Sequence, residues 1–485
     1  MTPAIRRAAL ALGPILALAI GLGMEAPAHP RAPAMLGVAA WMALWWIAEC
    51  VPIALTATLP LIAFPLAGIA PGKATAPHYV NSIIFLFIGG FLIAQALERA
   101  GLHKRLALAL LSRLHASPLQ LAAGFALATA LLSMWISNTA TTMLMVTIAL
   151  PLIAHLGREH GEDAAAGMAA SLLLVIAYSA NIGGMGTPVG TAPNLVFLET
   201  MRVHAPQAAP SFLQWMSVGV PMVLAGLATL FLVLGRRIAR LPWKPSDAAS
   251  LNQARERLGG IRREERIVAW VLALTALAWI SRKGLHAGGV DIPGWAALLP
   301  HPGVDDGTVA MFGAFWLFLL RGQDGRPVLD GEAFLMLPWD IVLLLGGGFA
   351  LAWGMQTSGA SAWLGEHLDF LAGLPLPLMM LGVALVMTFL TEITSNTAIT
   401  QVMLPILAAA AISGRMDLML VLLPATLSAS CAFMLPVATP PNAIVFGTHQ
   451  VPMRAMLRAG IRLNLLMAFV VTSVVWLLRG LLPAG

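Results

Sequence analysis

Apolar stretches of about 17 to 25 residues, each long enough to cross roughly 30 Å of hydrocarbon as a helix, recur along the whole chain. They restrict the possible fold more than any other feature. Only 10% of the 485 residues are charged, whereas a soluble protein carries roughly 25%. This deficit excludes an ordinary cytosolic enzyme, and the sequence predicts a polytopic membrane protein.

The apolar pattern predicts an all-α fold with about eleven transmembrane helices and two re-entrant hairpins. The predicted spans are residues 8–24, 34–50, 53–70, 82–98, 167–183 continued by 195–203, 215–235, 265–281, 308–320, 338–357, 418–450 with an interruption, and 460–479. Two further apolar regions, about 119–155 and 374–412, are divided by polar tripeptides and are predicted to enter and leave on one side. The first span also resembles a signal peptide cleaved near residue 28, which would leave the remaining topology unchanged.

Lysine and arginine are distributed unequally between the two sets of loops. With the N-terminus inside, 21 of the 28 basic residues fall on the inner side, nine of them in the segment 236–266. Because cytoplasmic loops retain positive charge, this bias predicts a cytoplasmic N-terminus and an external C-terminus in a bacterial-type inner (plasma) membrane. The net charge of +6 is therefore a topology signal, and no nucleic-acid partner is expected.

An internal repeat divides the chain. Shifts of 258 and then 248 residues align 89–91 with 347–349, 137–140 with 395–398, and 188–194 with 436–442. The difference between the shifts is assigned to a polar loop at 157–166. Each copy contains five predicted crossings, and an odd number inverts the second copy in the membrane. The predicted parts are an N-terminal helix at 1–33, a first repeat at 34–235, a cytoplasmic linker at 236–264 and a second repeat at 265–485.

Four polar breaks interrupt the apolar segments, at 137–139, 183–194, 395–397 and 434–442. Backbone groups freed there must be buried in protein or line a polar cavity. Hydroxyl, amide and carbonyl oxygens suit Na⁺, while the N–H groups of helix starts suit carboxylate or sulfate. Proline kinks would explain one break but explain two symmetric pairs poorly. Inverted repeats with broken helices are typical of secondary transporters.

These motifs resemble those of the divalent anion/sodium symporter family, which carries di- and tricarboxylates and sulfate. The paired Ser-Asn-Thr tripeptides match that family, as do the segments 45–52 and 429–445. The resemblance covers essentially the whole chain. It implies a homodimer in the lipid bilayer, with a fixed scaffold domain and a transport domain that moves like an elevator.

The resemblance also implies two sodium sites and one substrate site. The first sodium site would use Ser133, Ser137, Asn138 and the backbone of Gly190, and the second Thr391, Ser395, Asn396 and the backbone of Ala438. Substrate would contact Ser137, Asn138, Thr139, Thr191, Ser395, Asn396, Thr397, Thr439 and Pro440. The first half departs from the pattern at Ala192, where the second half has Pro440. Na⁺ is expected as the coupling ion, without another cofactor.

The sequence therefore predicts a transporter that couples sodium entry to uptake of a small dianion, such as succinate, malate or fumarate. A sodium-independent dicarboxylate exchanger and a carrier of sulfate, citrate or tartrate are the alternatives. An enzyme is not expected, because the chain has no Gly-x-Ser-x-Gly elbow, His-Glu-x-x-His motif or Walker A lysine. Glu392 has two possible roles, a structural hydrogen-bonding one and one in coupling or proton sensing.

Overall fold

The computed structural model describes residues 3–244, 249–287, 290–301, 303–367 and 373–483. These residues are helical apart from short connections and one β-hairpin. The helices of the first half are α1 (Pro3–Gly23), α2 (Ala32–Ala48), α3 (Ile53–Ala57), α4 (Leu59–Leu66), α5 (Gly72–Thr75), α6 (Ser82–Ala100), α7 (Leu102–Leu111), α8 (Pro118–Ser133), α9 (Asn138–His160), α10 (Glu162–Gly183), α11 (Ala192–His204) and α12 (Phe212–Ile238).

The second half follows a short connecting helix. Its elements are α13 (Ala249–Glu256), α14 (Arg263–Ser281), strands β1 (Gly284–Ala287) and β2 (Val290–Pro293), α15 (Asp306–Leu319), α16 (Glu332–Leu335), α17 (Trp339–Thr357), α18 (Ala360–His367), α19 (Leu376–Leu390), α20 (Asn396–Ser413), α21 (Leu418–Ala429), α22 (Pro440–Gly447) and α23 (Met453–Leu478). Residues 245–248 of the predicted linker and the chain ends 1–2 and 484–485 lie outside the described residues.

Eight helical segments of the described residues are long and apolar enough to cross a membrane. They are Ala4–Gly23, Gly72–Ala100, Asn138–His160, Ala165–Gly186, Phe212–Ile238, Trp339–Thr357, Asn396–Ser413 and Met453–Leu481. Six apolar helices of 10–17 residues accompany them. The polytopic helical fold predicted from the apolar stretches is therefore confirmed.

All four predicted breaks separate pairs of helices. Residues 134–137 separate α8 from α9, and residues 391–395 separate α19 from α20, so both predicted hairpins have a helix on each side of the polar tripeptide. Longer breaks separate α10 from α11 and α21 from α22. The path of the two hairpins through the bilayer stays a prediction.

Three details differ from the sequence-based expectations. The predicted polar loop at 157–166 is helical except at Gly161. Helix α9 ends just before this glycine, and α10 begins just after it. Acidic residues in the first turn of α10 and basic residues in the last turn of α9 favour both helix ends. The predicted span 53–70 is divided into α3 and α4, and Pro60 lies in the first turn of α4. The antiparallel β1–β2 hairpin was not predicted.

Contacts between basic and acidic side chains join loops that the topology assigns to the same side. The predicted inner loops contribute Arg6–Glu49 at 4.0 Å, Arg99–Asp330 at 3.0 Å and Arg105–Glu265 at 3.0 Å, and the predicted outer loops contribute His29–Glu366 at 3.6 Å and Arg282–Asp306 at 2.7 Å. Each of these contacts therefore joins residues of one predicted side, as the predicted topology requires.

The repeated Gly-Gly pairs in α6 and α17 permit close approach to the elements that carry the breaks. A Cβ atom at Gly90 would lie 3.3 Å from Cγ1 of Val189, in the first long break. A Cβ atom at Gly348 would overlap the side chain of Gln401, in α20. Because any larger side chain would push these surfaces apart, the second glycine of each pair has a packing role in both halves.

Candidate functional site

Four helix N-termini meet at one cavity of about 550 Å³. Their N-cap residues are Ser137 for α9, Thr191 for α11, Ser395 for α20 and Thr439 for α22, and all four line the cavity. A helix N-terminus carries free N–H groups and a partial positive charge, so it favours anions. The convergence of four such ends makes this cavity the candidate anion site.

The structure brings the predicted substrate residues together. The cavity lining includes every one of them: Ser137, Asn138, Thr139, Thr191, Ser395, Asn396, Thr397, Thr439 and Pro440. Gly190 and Ala438, from the predicted sodium sites, also line it. Ser133 and Thr391 do not reach the cavity, because both are fully buried one step behind the two asparagines.

A cluster of oxygens lies behind the first tip. Ser133 Oγ is 2.5 Å from Oδ1 of Asn138 and 2.8 Å from the carbonyl oxygen of Ala180. The side chain of Asn194 steadies the adjacent break by donating to the carbonyls of Gly184, at 3.0 Å, and Thr187, at 2.8 Å. Neutral oxygens that converge in this way form a donor set suited to a hard cation.

The second tip repeats this arrangement. Thr391 Oγ1 is 2.5 Å from Oδ1 of Asn396 and 2.8 Å from the carbonyl oxygen of Ala429. Asn442 Nδ2 donates to the carbonyls of Ala432 and Leu435, both at 3.0 Å. The two halves therefore share this hydrogen-bond pattern, except that Ala429 lies one position beyond Ser428, the residue that the alignment pairs with Ala180.

Helix C-termini supply further acceptors at both clusters. Helix α8 ends at Ser133, and α19 ends one residue before Thr391. The carbonyls that these two hydroxyls contact belong to Ala180, in the last turn of α10, and Ala429, the last residue of α21. The last carbonyls of a helix lack intrahelical partners and carry partial negative charge. Anion-favouring and cation-favouring helix ends thus lie side by side at each tip.

The two halves differ at one buried position. Oε1 of Glu392 accepts hydrogen bonds from the backbone N–H groups of Phe433 and Met434, at 2.7 and 2.8 Å, and from Nδ2 of Asn464, at 2.7 Å. Its Oε2 accepts from the N–H of Leu435 at 3.0 Å. The structure thus shows the hydrogen-bonding role of this glutamate directly. We call this arrangement the Glu392 clamp.

The equivalent position in the first half is Met134, which precedes Glu392 by 258 residues. Its side chain lies against Gly186, where a Cβ atom would come within 2.8 Å of the methionine methyl group. Its carbonyl accepts a hydrogen bond from Thr187 Oγ1 at 2.5 Å. At this pair of equivalent positions, Met134 contacts the first break through its apolar side chain and its carbonyl, whereas Glu392 contacts the second break through its carboxylate.

Of the residues that the structure describes, no lysine or arginine lines this cavity. Its charged lining residues are Glu49 and Asp340, both at ends of helices that the topology assigns to the inner side. An anion in the cavity would therefore rely on helix ends, hydroxyls and amides. Bound cations would supply the only full positive charges beside it.

Comparison with known proteins identifies the family. A family sequence model described as the sodium:sulfate symporter transmembrane region matches residues 8–482, which is nearly the whole chain. The chain belongs to the sodium:sulfate symporter family. It is therefore an integral membrane protein of a transporter family and not an enzyme, as the sequence predicts.

Relatives in this family share about a third of the residues. The sodium-dependent dicarboxylate transporter SdcS of Staphylococcus saprophyticus is 37% identical over 480 residues, covering 97% of this chain and 90% of that protein. SdcS of Staphylococcus aureus is 37% identical over 477 residues, covering 96% and 90%. The crystal structure of the Alcanivorax borkumensis YdaH transporter covers 88% of this chain and 90% of its own, with a TM-score of 0.56 and 13% identity, which supports the fold alone.

This member of the sodium:sulfate symporter family has cavity residues that the motifs did not reveal. Asn181 donates from Nδ2 to Oγ1 of Thr439 at 3.1 Å, so a residue of the first half contacts the N-cap of a second-half helix. The sequence feature that could have indicated Asn181 is its polar amide side chain within an apolar stretch, just before the break at 183–194. Trp135 and Phe91 form part of the apolar wall and carry no comparable signal.

Proposed function

We propose that the protein couples the inward movement of Na⁺ to uptake of a small dicarboxylate, such as succinate, malate or fumarate. One observation carries the proposal: four helix N-termini and two matching oxygen clusters surround a single cavity that no lysine or arginine lines. Ser133, Ser137, Asn138 and Gly190 would hold one sodium ion, and Thr391, Ser395, Asn396 and Ala438 the other.

A dicarboxylate fits the duplicated geometry best. Each half contributes a Ser-Asn-Thr tip and a threonine N-cap, so each half offers one set of N–H and hydroxyl donors to one carboxylate. Sulfate has a single anionic centre and would use one set. The names of the Staphylococcus relatives, which are sodium-dependent dicarboxylate transporters, support the same substrate class.

Coupling follows from the charges. Two carboxylates without a lysine or arginine partner are strongly disfavoured in a partly desolvated cavity. Sodium ions at the oxygen clusters would supply the compensating charge, and Asn138 and Asn396 would contact ion and substrate together. Binding of the ions and of the dianion must then strengthen each other by the same factor.

We further propose an elevator movement. The site elements α8–α12 and α19–α23 would form the transport domain, and α2–α4, α6, α15 and α17 the scaffold. The small residues at Gly90 and Gly348 would leave a smooth surface between them. A homodimer would be built on the scaffold helices, because a moving domain cannot also carry a fixed interface. Cross-linking that finds only active monomers would contradict this part.

The topology that we propose has a cytoplasmic N-terminus and an external C-terminus. Glu49 and Asp340 line the cavity at its predicted cytoplasmic end, so this conformation would face inward. Gln253→Cys in α13, in a Cys50→Ser background, should react with an impermeant maleimide only after cells are permeabilised. Labelling of intact cells would invert the assignment.

The function is tested by uptake of radiolabelled succinate into proteoliposomes. An inward sodium gradient should drive accumulation, and replacement of Na⁺ by K⁺ should abolish it. Uptake that depends on internal dicarboxylate and not on Na⁺ would instead establish an exchanger. Competition by unlabelled sulfate, citrate and tartrate distinguishes the other substrates. If none of these anions is transported, the proposal is wrong.

A further inference from the structure

A second cavity, of about 760 Å³, lies between the end of α12 and the first half of α23, away from the candidate site. We call it the arginine groove. Its main lining residues are Leu232, Arg236, Arg237, Arg240, Arg462 and Leu465. Among the residues that the structure describes, none that lines the groove is acidic. Four positive charges therefore share one concave surface on the side assigned to the cytoplasm.

These four arginines differ from two others on the same side. Arg99 pairs with Asp330, and Arg105 pairs with Glu265. Within the described ranges, none of the four guanidinium groups of the groove has a hydrogen bond or an ion pair to another residue. All four are exposed. The groove thus lacks the internal counter-charge that Arg99 and Arg105 have.

More positive charge continues along α23. Arg454, Arg458 and Arg462 follow one another at intervals of four residues, which places them on one face of the helix. Like charges at this spacing destabilise a helix unless an anion compensates them. Helix α23 contains no acidic residue that could compensate them.

An apolar side chain lies one helical turn from each of two groove arginines, towards the middle of the helix. Leu232 precedes Arg236 by four residues in α12, and Leu466 follows Arg462 by four residues in α23. Leu232 is 71% exposed, although it lies on a helix long enough to span the membrane. The groove therefore combines a charged mouth with an apolar floor.

We propose that the arginine groove binds an anionic phospholipid, with its phosphate on the guanidinium groups and its acyl chains along the leucines. Guanidinium groups bind phosphate oxygens in pairs with matching geometry, and basic pockets between membrane helices bind lipid head groups in this way. The positive-inside rule explains why basic residues lie on this side, but it does not explain why four of them line one groove with leucines. Free phosphate would satisfy the arginines and leave the leucines uncovered.

The test is native mass spectrometry of the full chain in detergent with phosphatidylglycerol, phosphatidylcholine or both. The unaltered protein should retain phosphatidylglycerol at least tenfold more than phosphatidylcholine, and millimolar inorganic phosphate should not displace it. Equal retention of the two lipids would overturn the proposal, and so would displacement by phosphate. This arm needs no variant.

The second arm removes the charge. The quadruple variant R236Q/R237Q/R240Q/R462Q should lose phosphatidylglycerol at least tenfold. The matched control R113Q/R158Q/R257Q/R326Q removes the same charge from exposed arginines of the same predicted side and should retain the lipid. Equal loss in both variants would indicate general attraction to charge, and retention in both would remove the groove as the site. If the groove variant does not elute as a folded protein, R240Q and R462Q singly should each lower retention.

Discussion

The two halves of the candidate site have the same oxygens but different supports. Ser133 with Asn138 and Thr391 with Asn396 have the same O···O separation of 2.5 Å. Behind them, the first break rests on Met134 and the second on the Glu392 clamp. Duplication has thus kept the oxygens of the two clusters and allowed the residues behind them to diverge. The comparison predicts similar effects at the tips and unequal effects behind them.

The largest difference is expected at the Glu392 clamp. Glu392→Ala leaves three backbone N–H groups and the Asn464 amide without their acceptor, and each buried unpaired group costs about 1–3 kcal/mol. Uptake of succinate should fall below detection. Glu392→Gln keeps the volume but turns an NH₂ group towards one of these donors, so uptake should also fall strongly.

The matched variant in the first half is Met134→Leu. A volume-conserving apolar exchange costs less than about 1.5 kcal/mol. It should leave succinate uptake and the melting temperature in detergent close to those of the unaltered protein. If Glu392→Gln reduces succinate uptake as little as Met134→Leu does, the two breaks are supported equally well and the expected difference between the halves is absent.

The tips should respond alike. Asn138→Ala and Asn396→Ala each remove an amide oxygen from a buried cluster, at about 1–3 kcal/mol. Because 1.4 kcal/mol is one decade in affinity, succinate binding in the presence of Na⁺ should weaken by about fivefold to a hundredfold in each variant. Isothermal titration at several sodium concentrations measures this. Asn252→Ala, at an exposed position of α13, is the control. Unchanged sodium dependence in both tip variants would remove these residues from the site.

A smaller difference is expected where the first half has glycine and the second alanine. A Cβ atom at Gly184 would lie 2.9 Å from Oδ1 of Asn138, whereas the equivalent residue is already Ala432. Gly184→Ala should displace the amide at a cost of about 1 kcal/mol, which raises the half-saturating sodium concentration roughly fivefold. Ala432→Gly should change it less. A larger change in the half-saturating sodium concentration for Ala432→Gly than for Gly184→Ala would show that the second cluster is the more crowded one.

The smallest difference is expected in the serine N-caps. Ser137 Oγ accepts the N–H of Ala140 at 3.2 Å, whereas Ser395 makes no such bond. Loss of a serine cap costs about 1 kcal/mol of helix stability. Without Na⁺ and substrate, Ser137→Ala should therefore melt at a lower temperature than Ser395→Ala. Equal melting temperatures would show that the cap at Ser137 does not stabilise the helix.

The sequence predicts the breaks well because each is a polar group of residues in apolar surroundings, and because each occurs twice. It does not predict the supports. Glu392 had two possible roles, since its acceptor function depends on a loop 41 to 43 residues away and on Asn464 in another helix. Asn181 is a lone amide whose partner lies 258 residues away. Such residues carry no local pattern, so only the folded chain reveals their partners.

The two matching oxygen clusters, each proposed to hold one sodium ion, have an electrical consequence. Under the proposed function, the charged groups of the protein move alike in the loaded and the empty return steps, so they cancel over one cycle. The charge carried per cycle is then the number of sodium ions minus the two charges of the dianion. Two ions produce no current, and each further ion adds one positive charge, worth about 2.3 kcal/mol per 100 mV of membrane voltage. The current per dianion therefore counts the ions.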